Sequence, residues 1–147
     1  MLQPLSKEWV EVPTALDNLY FPDLIALDAA PESRFQLLVA PTVSPDRPAA
    51  KNYLVTFYRC ELIYAYSEIL YANHAPEQRT GGGLMRAVGS ELLERARATI
   101  PAGEHLEHYV ICGGNGCWEV VAESDPVIRG YDTFNAAVAA ASSERMQ

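Results

Sequence analysis

A run of turn-forming residues between two apolar segments, Cys112-Gly113-Gly114-Asn115-Gly116-Cys117, constrains the fold most strongly. Residues 106–112 before it and 118–123 after it both place apolar side chains with the two-residue period of a strand. Glycine and asparagine adopt the positive φ angles that tight hairpin connections often require. The pattern therefore predicts a β-hairpin.

The residues after this hairpin predict a third strand and a helix. Ser124-Asp125-Pro126 interrupts the alternation, because proline cannot donate to a central ladder. Residues 127–131 then resemble a short strand, and Asp132 or Thr133 is placed to cap a helix over about 133–144. The apolar stripe of that helix consists of Phe134, Ala137, Val138 and Ala141. The C-terminal part is thus predicted to be a β-β-β-α unit.

A second helix is predicted over about residues 84–99. Its apolar positions recur at helical spacing and are Leu84, Val88, Leu92 and Ala96. Pro101 and Gly103 are expected to end it.

Several other segments favour strands. Residues 34–40 are bounded by prolines, and residues 53–59 are apolar or aromatic on both faces, as in a strand buried on both sides. The periodicity of residues 23–30 fits both a helix and a strand. Residues 60–71 also fit both periods, although their tyrosines and isoleucines favour a strand.

The N-terminal residues show no clear period. Ser6 is placed to cap a short turn that carries Trp9 and Val12, and Pro13 would end it. The stretch lacks the basic-then-apolar order of a signal peptide. No apolar run approaches the roughly 20 residues that a membrane-spanning helix needs. We therefore expect a soluble, cytoplasmic protein without a membrane association.

Taken together, these segments predict an α+β fold. The 147 residues fit a single globular domain, residues 1–147, with 49% hydrophobic and 20% charged residues. We expect a mainly antiparallel sheet with two principal helices, about 84–99 and 133–144, packed on it.

The charge balance limits the classes of partner. The chain carries 19 acidic and 11 basic residues, a net charge of −8. This balance opposes nonspecific nucleic-acid binding, which depends on Lys and Arg neutralising phosphates. It suits contact with a basic protein, although solubility explains it equally well.

A glycine loop precedes the predicted helix at 84–99. The loop contains Gln78, Gly81, Gly82 and Gly83. At a helix N-terminus, the backbone N–H groups of such a loop can point toward a bound phosphate. With Gln78, Gly81 and Gly83, the stretch resembles the acyl-CoA pyrophosphate loop of GNAT-type N-acetyltransferases. The resemblance implies an acyl-CoA-dependent N-acyltransferase that binds acetyl-CoA through Gln78, Gly81, Gly82 and Gly83. The alternative interpretation is a loop that merely connects two elements.

Four potential metal ligands lie close together in the sequence, namely His105, His108, Cys112 and Cys117. Zinc sites commonly use paired ligands at spacings of about two to four residues. Here the thiols are separated across the hairpin turn, so we assign no metal and favour a structural hairpin with partly buried thiols. A cross-strand disulfide is the oxidised alternative.

Aromatic residues are concentrated in the middle of the chain and comprise Tyr53, Phe57, Tyr58, Tyr64, Tyr66 and Tyr71. Tyrosine is frequent at protein interfaces, so these residues suggest a homodimer that forms through a tyrosine-bearing sheet face. Packing within the core and on the sheet faces is the alternative.

The chain contains no Gly-x-Ser-x-Gly elbow, His-Glu-x-x-His pair or complete Walker loop. We therefore assign no catalytic residue and no cofactor, and lean away from an enzyme. The favoured hypothesis is a small acidic, non-catalytic protein-binding domain, similar in role to an immunity protein, inhibitor or adaptor. The acyltransferase and the tyrosine-mediated dimer are the two alternatives.

Overall fold

The computed structural model describes residues 8–19, 22–30, 34–41, 51–66, 83–100, 103–114 and 116–145. The strands in this part of the chain are β1 (Glu8–Val12), β2 (Asp23–Ala30), β3 (Arg34–Ala40), β4 (Asn52–Tyr58), β5 (Cys60–Tyr66), β6 (Leu84–Val88), β7 (Glu107–Gly113), β8 (Gly116–Ala122) and β9 (Val127–Tyr131). The helices are α1 (Glu91–Thr99) and α2 (Phe134–Arg145), and short 3-10 turns span Ala15–Asn18 and Gly103–His105.

The expected α+β class, with mainly antiparallel strands and two helices, is confirmed, and the strands form two sheets. The five-stranded sheet has the order β1-β6-β7-β8-β5, and the four-stranded sheet has the order β2-β3-β4-β9. All their neighbouring strands are antiparallel. The open segment 23–30 is strand β2, and Cys60–Tyr66 within segment 60–71 is strand β5. Residues 67–71 lie outside the described part.

The two sheets pack face to face around a shared core. Tyr109, Ile111 and Val120 belong to the five-stranded sheet and point inward, toward the other sheet. The four-stranded sheet contributes Phe35 and Phe57, whose ring centroids are 6.3 Å apart. Since successive side chains of a strand point to opposite faces, every second residue of β7 and β8 points to the outer face instead.

Each helix covers part of an outer face. On the five-stranded sheet, Leu93 of α1 packs in an apolar cluster with Val121. On the four-stranded sheet, α2 lies against β3, β4 and β9 and buries Ala137 and Ala141, whose small side chains allow a close approach. Thr133 caps α2, because its hydroxyl accepts a hydrogen bond from the Ala136 N–H at 3.0 Å.

The predicted helix at 84–99 is wrong in its first part, because Leu84–Val88 is strand β6. Gly89, with a φ of 72°, breaks the chain direction, and Ser90 caps the helix that begins at Glu91. Leu84, Met85 and Ala87 are buried on both faces of the strand. A strand buried on both faces has a continuous apolar run, which also matches a helical stripe.

The predicted β-β-β-α order at the C-terminus is confirmed, but its strands do not form one small sheet. β7 and β8 pair with each other, whereas β9 crosses to the other sheet and pairs with β4. The buried Tyr109 holds this crossing, because its hydroxyl donates a hydrogen bond to Asp125 in the β8–β9 connection. The chain also passes from one sheet to the other between β4 and β5, at Arg59. Arg59 forms a 3.2 Å ion pair with Glu123.

Candidate functional site

A chain of three buried polar side chains joins α1 to the outer face of the five-stranded sheet. Ser90 Oγ lies 2.8 Å from His108 Nδ1, and His108 Nε2 lies 2.6 Å from Glu119 Oε1. Ser90 is 2% exposed, His108 0% and Glu119 2%. We refer to these three residues as the Ser–His–Glu network.

Secondary structure fixes the position of each member. β7 and β8 pair so that Val110 is opposite Glu119, which places His108 diagonally across the ladder from Glu119 on the same face. Ser90 follows the turn at Gly89 and occupies the N-cap of α1, where its Oγ accepts the Leu93 N–H at 3.1 Å. The network is therefore assembled from β7, β8 and the β6–α1 turn.

Hydrogen-bond roles follow from the available donors and acceptors. A carboxylate only accepts hydrogen bonds, so His108 donates to Glu119 from Nε2, and in the neutral ring Nδ1 then accepts the hydroxyl hydrogen of Ser90. Tyr64 of β5 also donates to Glu119, and the pKa of Tyr64 is raised first by burial and then by the charge of this carboxylate.

The residue types match a nucleophile, a base and an orienting acid, but the arrangement supports a structural role. A nucleophile must reach substrate, whereas all three side chains are enclosed. Ser90 Oγ is also committed to capping α1, and the rings of Trp9 and His108 are packed in a T-shaped contact at a centroid distance of 5.3 Å. We therefore interpret the network as a polar bridge between α1 and the sheet.

The four potential zinc ligands are divided among different environments. His105 is exposed in a 3-10 turn, whereas His108 is enclosed in the Ser–His–Glu network. Cys112 and Cys117 are directly opposite each other, with Cα atoms 4.1 Å apart, and are joined as a disulfide. Among the residues that the structure describes, no three His, Cys, Asp or Glu side chains gather closely enough to hold a metal ion.

The glycine loop lies mostly outside the described residues, which exclude Gln78, Gly81 and Gly82. Gly83 is described and precedes strand β6, so the helix expected directly after the glycines begins seven residues later than predicted, at Glu91 rather than Leu84. A phosphate contact at that helix N-terminus would accordingly involve the Gly89–Ser90 turn and not Gly83.

The described tyrosines do not share one sheet face. Tyr53 packs partly buried against the inner core, whereas Tyr58 is on the outer face of the same sheet and is 40% exposed. Tyr64 lies on the outer face of the other sheet, bonded to Glu119. Phe57 is a core residue, Tyr71 lies outside the described part, and the side chain of Tyr66 is not described.

A second candidate site involves the segment of Trp9 and Val12, which the sequence pattern predicts to be a turn. They belong to strand β1, which is short and ends at Pro13, so its two-residue period covers too few positions to be recognised. Val10 on β1 is 44% exposed and Val88 on β6 is 50% exposed.

The register places Val10 opposite Arg86, two residues from Val88, so the two valines are diagonal neighbours on one face. We call Val10 and Val88 the valine ledge. Arg86 lies directly opposite Val10 on this face, whereas Glu11, the next residue of β1, points to the opposite face of the sheet. The ledge is thus a small exposed apolar surface that adjoins Arg86.

Comparison of the chain with protein-family models, curated proteins and solved structures found no match. A separate structural finding concerns membranes. No helix in the described residues has both the length and the apolar character needed to cross a bilayer.

Proposed function

We propose that the chain is a small acidic, non-catalytic protein-binding domain whose partner is a basic protein. The observation that carries this proposal is the valine ledge, which places two exposed apolar side chains together on adjacent strands. Adjoining exposed apolar side chains are typical of surfaces that contact another protein.

The overall charge supports a basic partner. A net charge of −8 attracts a cationic protein at long range and accelerates encounter, and salt weakens this attraction. The Ser–His–Glu network is enclosed, so the exposed valine ledge, and not this network, is the surface offered to a partner. The acyl-CoA-dependent acyltransferase and the homodimer that forms through a tyrosine-bearing sheet face remain predictions.

The test is affinity capture with the full chain, from an extract of the organism that encodes it, followed by elution with increasing NaCl. We expect a protein of high isoelectric point that elutes between about 0.1 and 0.5 M NaCl, as screened charges release it. The captured protein is then purified, and its affinity is measured by calorimetry at several salt concentrations.

A matched pair of double variants separates local charge from total charge. E11Q/E91Q removes the exposed carboxylate that follows Val10 in β1 and the one that begins α1, and D23N/D132N removes two exposed carboxylates elsewhere. We expect the first to weaken binding at least about fivefold and the second by less than about twofold. Capture of no saturable partner, or an affinity that does not respond to salt, would overturn the proposed function.

A further inference from the structure

The end of the β7–β8 hairpin contacts the four-stranded sheet. We define the hairpin tip by its described residues, Cys112, Gly113, Gly114, Gly116 and Cys117. The Gly114 N–H donates a 3.0 Å hydrogen bond to the carbonyl of Pro22, which directly precedes β2. Gly113 lies so close to Pro22 that an added Cβ atom would be 2.1 Å from the same oxygen. The tip is therefore docked on the other sheet through backbone atoms.

The Cys112–Cys117 disulfide fixes the hairpin tip covalently. The two cysteines are directly opposite each other, next to the pair of Gly113 and Gly116 that ends the ladder. Gly116 has a φ of 142°, which favours glycine. Glycine loses more conformational freedom on ordering than any other residue, and a covalently closed loop has already lost part of that freedom. The disulfide thus prepares the tip for docking on Pro22.

The two bonded cysteines differ in their access to solvent. Cys117 is 0% exposed and belongs to an apolar cluster with Met85 and Val110. Cys112 packs at the margin of this cluster and is only partly buried. Thiol–disulfide exchange requires a thiolate to reach a sulfur atom, so Cys112 Sγ is the point of attack and Cys117 is the leaving group.

The third cysteine takes no part in such an exchange. Cys60 is buried in the inner core opposite Ala122, at the other end of β8 from Cys117. Burial raises the pKa of the Cys60 thiol to about 12, so its nucleophilic thiolate is scarce at neutral pH. A reductant for the disulfide must therefore come from outside the chain.

We propose that the Cys112–Cys117 disulfide is a redox switch, reduced by an external dithiol, that controls the docking of the hairpin tip on Pro22. One thiolate of the dithiol attacks Cys112 Sγ, the Sγ–Sγ bond breaks, and Cys117 leaves with the bonding electron pair and takes up a proton. The second thiol of the reductant then loses its proton and attacks the reductant sulfur of the mixed disulfide, which releases Cys112 to be protonated in turn. Two electrons and two protons pass to the chain, and the dithiol becomes a disulfide.

Reduction is expected to release the hairpin tip and to leave the rest of the fold in place. Without the cross-link, the glycines recover the freedom that docking must remove, so the hydrogen bond from Gly114 to Pro22 opens more often. Opening uncovers Leu24, which is 4% exposed beneath Gly113. The Ser–His–Glu network contains neither cysteine and should persist. The valine ledge is not involved, so the switch is independent of the proposed function.

The test is amide hydrogen exchange of the full chain, measured by NMR before and after incubation with the dithiol dithiothreitol. Thiol counting in denaturant confirms the redox state of each sample. We expect the Gly114 N–H to exchange at least about tenfold faster after reduction. The Ala137 N–H, which is bonded to the Thr133 carbonyl in α2, should change by less than about twofold.

Two variants assign the response to the disulfide. C112S/C117S should show the fast Gly114 exchange with and without dithiothreitol, whereas C60A, the matched control, should respond to dithiothreitol as the parent does. If C112S/C117S does not fold, the oxidised and reduced states of the parent and of C60A decide. The switch is overturned if dithiothreitol leaves the folded chain oxidised, or if reduction leaves Gly114 exchange unchanged. Equal acceleration at Ala137 would also overturn it, because the whole fold would then be loosened.

Discussion

His108 and Glu119 lie diagonally across the β7–β8 ladder, and His108 Nε2 is 2.6 Å from Glu119 Oε1 with both side chains buried. Polar groups enclosed in this way depend on each other, because a group that loses its partner keeps the desolvation cost without the hydrogen bond. The pair is bonded to the cap of α1 through Ser90, so a helix and two strands share one polar network.

Replacement of Glu119 tests this dependence. Glu119→Ala leaves His108 Nε2 without its acceptor and is expected to lower the free energy of unfolding by about 3 kcal/mol, whereas Glu119→Gln retains an acceptor oxygen and should cost about 1–2 kcal/mol. Urea unfolding measures both. Glu123→Gln is the control, because Glu123 forms an exposed ion pair and should cost less than about 1 kcal/mol. Equal effects at the two sites would refute a stabilising network.

Two helix caps in the chain permit a direct comparison. Ser90→Ala removes a cap and also the partner of His108 Nδ1, with an expected cost of about 2–3 kcal/mol. Thr133→Ala removes only the exposed cap of α2 and should cost about 1 kcal/mol. Chemical unfolding of both variants gives the difference. If the two costs agree, the Ser90–His108 hydrogen bond contributes nothing measurable.

Local sequence patterns predicted the hairpin well, because its alternation and its turn residues agree. They also predicted the helix from Phe134, whose alanines form one stripe. The prediction of a helix over Leu84–Val88 is wrong because a strand buried on both sides has no polar face. The signal for the true helix start is the Gly89-Ser90 pair, in which glycine interrupts the strand and serine caps the helix.

The division into two sheets and the Ser–His–Glu network lay beyond sequence reasoning. Ser90 is 18 residues from His108, and their contact depends on how α1 packs on the sheet. Periodicity describes which side chains share a face but does not say which strands become neighbours. The disulfide was an open alternative, because the hairpin register that brings Cys112 opposite Cys117 depends on the unknown turn conformation.

Gly113 tests a close contact between the hairpin and the four-stranded sheet. A Cβ atom at this position would lie 2.1 Å from the backbone oxygen of Pro22 and 2.9 Å from Leu24 Cγ. Since backbone atoms cannot yield cheaply, Gly113→Ala is expected to cost at least about 3 kcal/mol. Gly89→Asn is the control, because no atom lies within 4 Å of its Cβ position and asparagine tolerates positive φ. A thermal melt of Gly113→Ala that matches the parent would contradict this contact.

The Tyr109 phenol predicts a loss of stability at alkaline pH. Burial, and then the hydrogen bond to Asp125, raise the pKa of Tyr109 above the value of about 10 for an unfolded tyrosine. Its stabilising contribution is therefore complete below about pH 10 and is lost as the pH rises further, because the unfolded chain ionises first. Above the pKa of the unfolded chain, each buried phenol of this kind lowers the free energy of unfolding by up to about 1.4 kcal/mol per pH unit.

Tyr109→Phe should reduce this alkaline slope, and it should also cost about 1 kcal/mol at neutral pH through the lost hydrogen bond to Asp125. Urea unfolding between pH 8 and about 11 measures both effects. Tyr58→Phe, on the surface, is the control for removal of one phenol. An unchanged slope in Tyr109→Phe would assign the alkaline response to other groups.

Thiol counting tests the disulfide and the buried Cys60 together. In denaturant, the oxidised chain should show one reactive thiol, that of Cys60, and reduction should raise the count to the three cysteines of the sequence. In the folded protein Cys60 should react very slowly, because it is buried and burial raises the pKa of its thiol to about 12. Reduction should cost about 2 kcal/mol of unfolding free energy, as expected for a short loop. Cys60→Ala is the control and should show no reactive thiol until reductant is added; three thiols without reductant would exclude the Cys112–Cys117 bond.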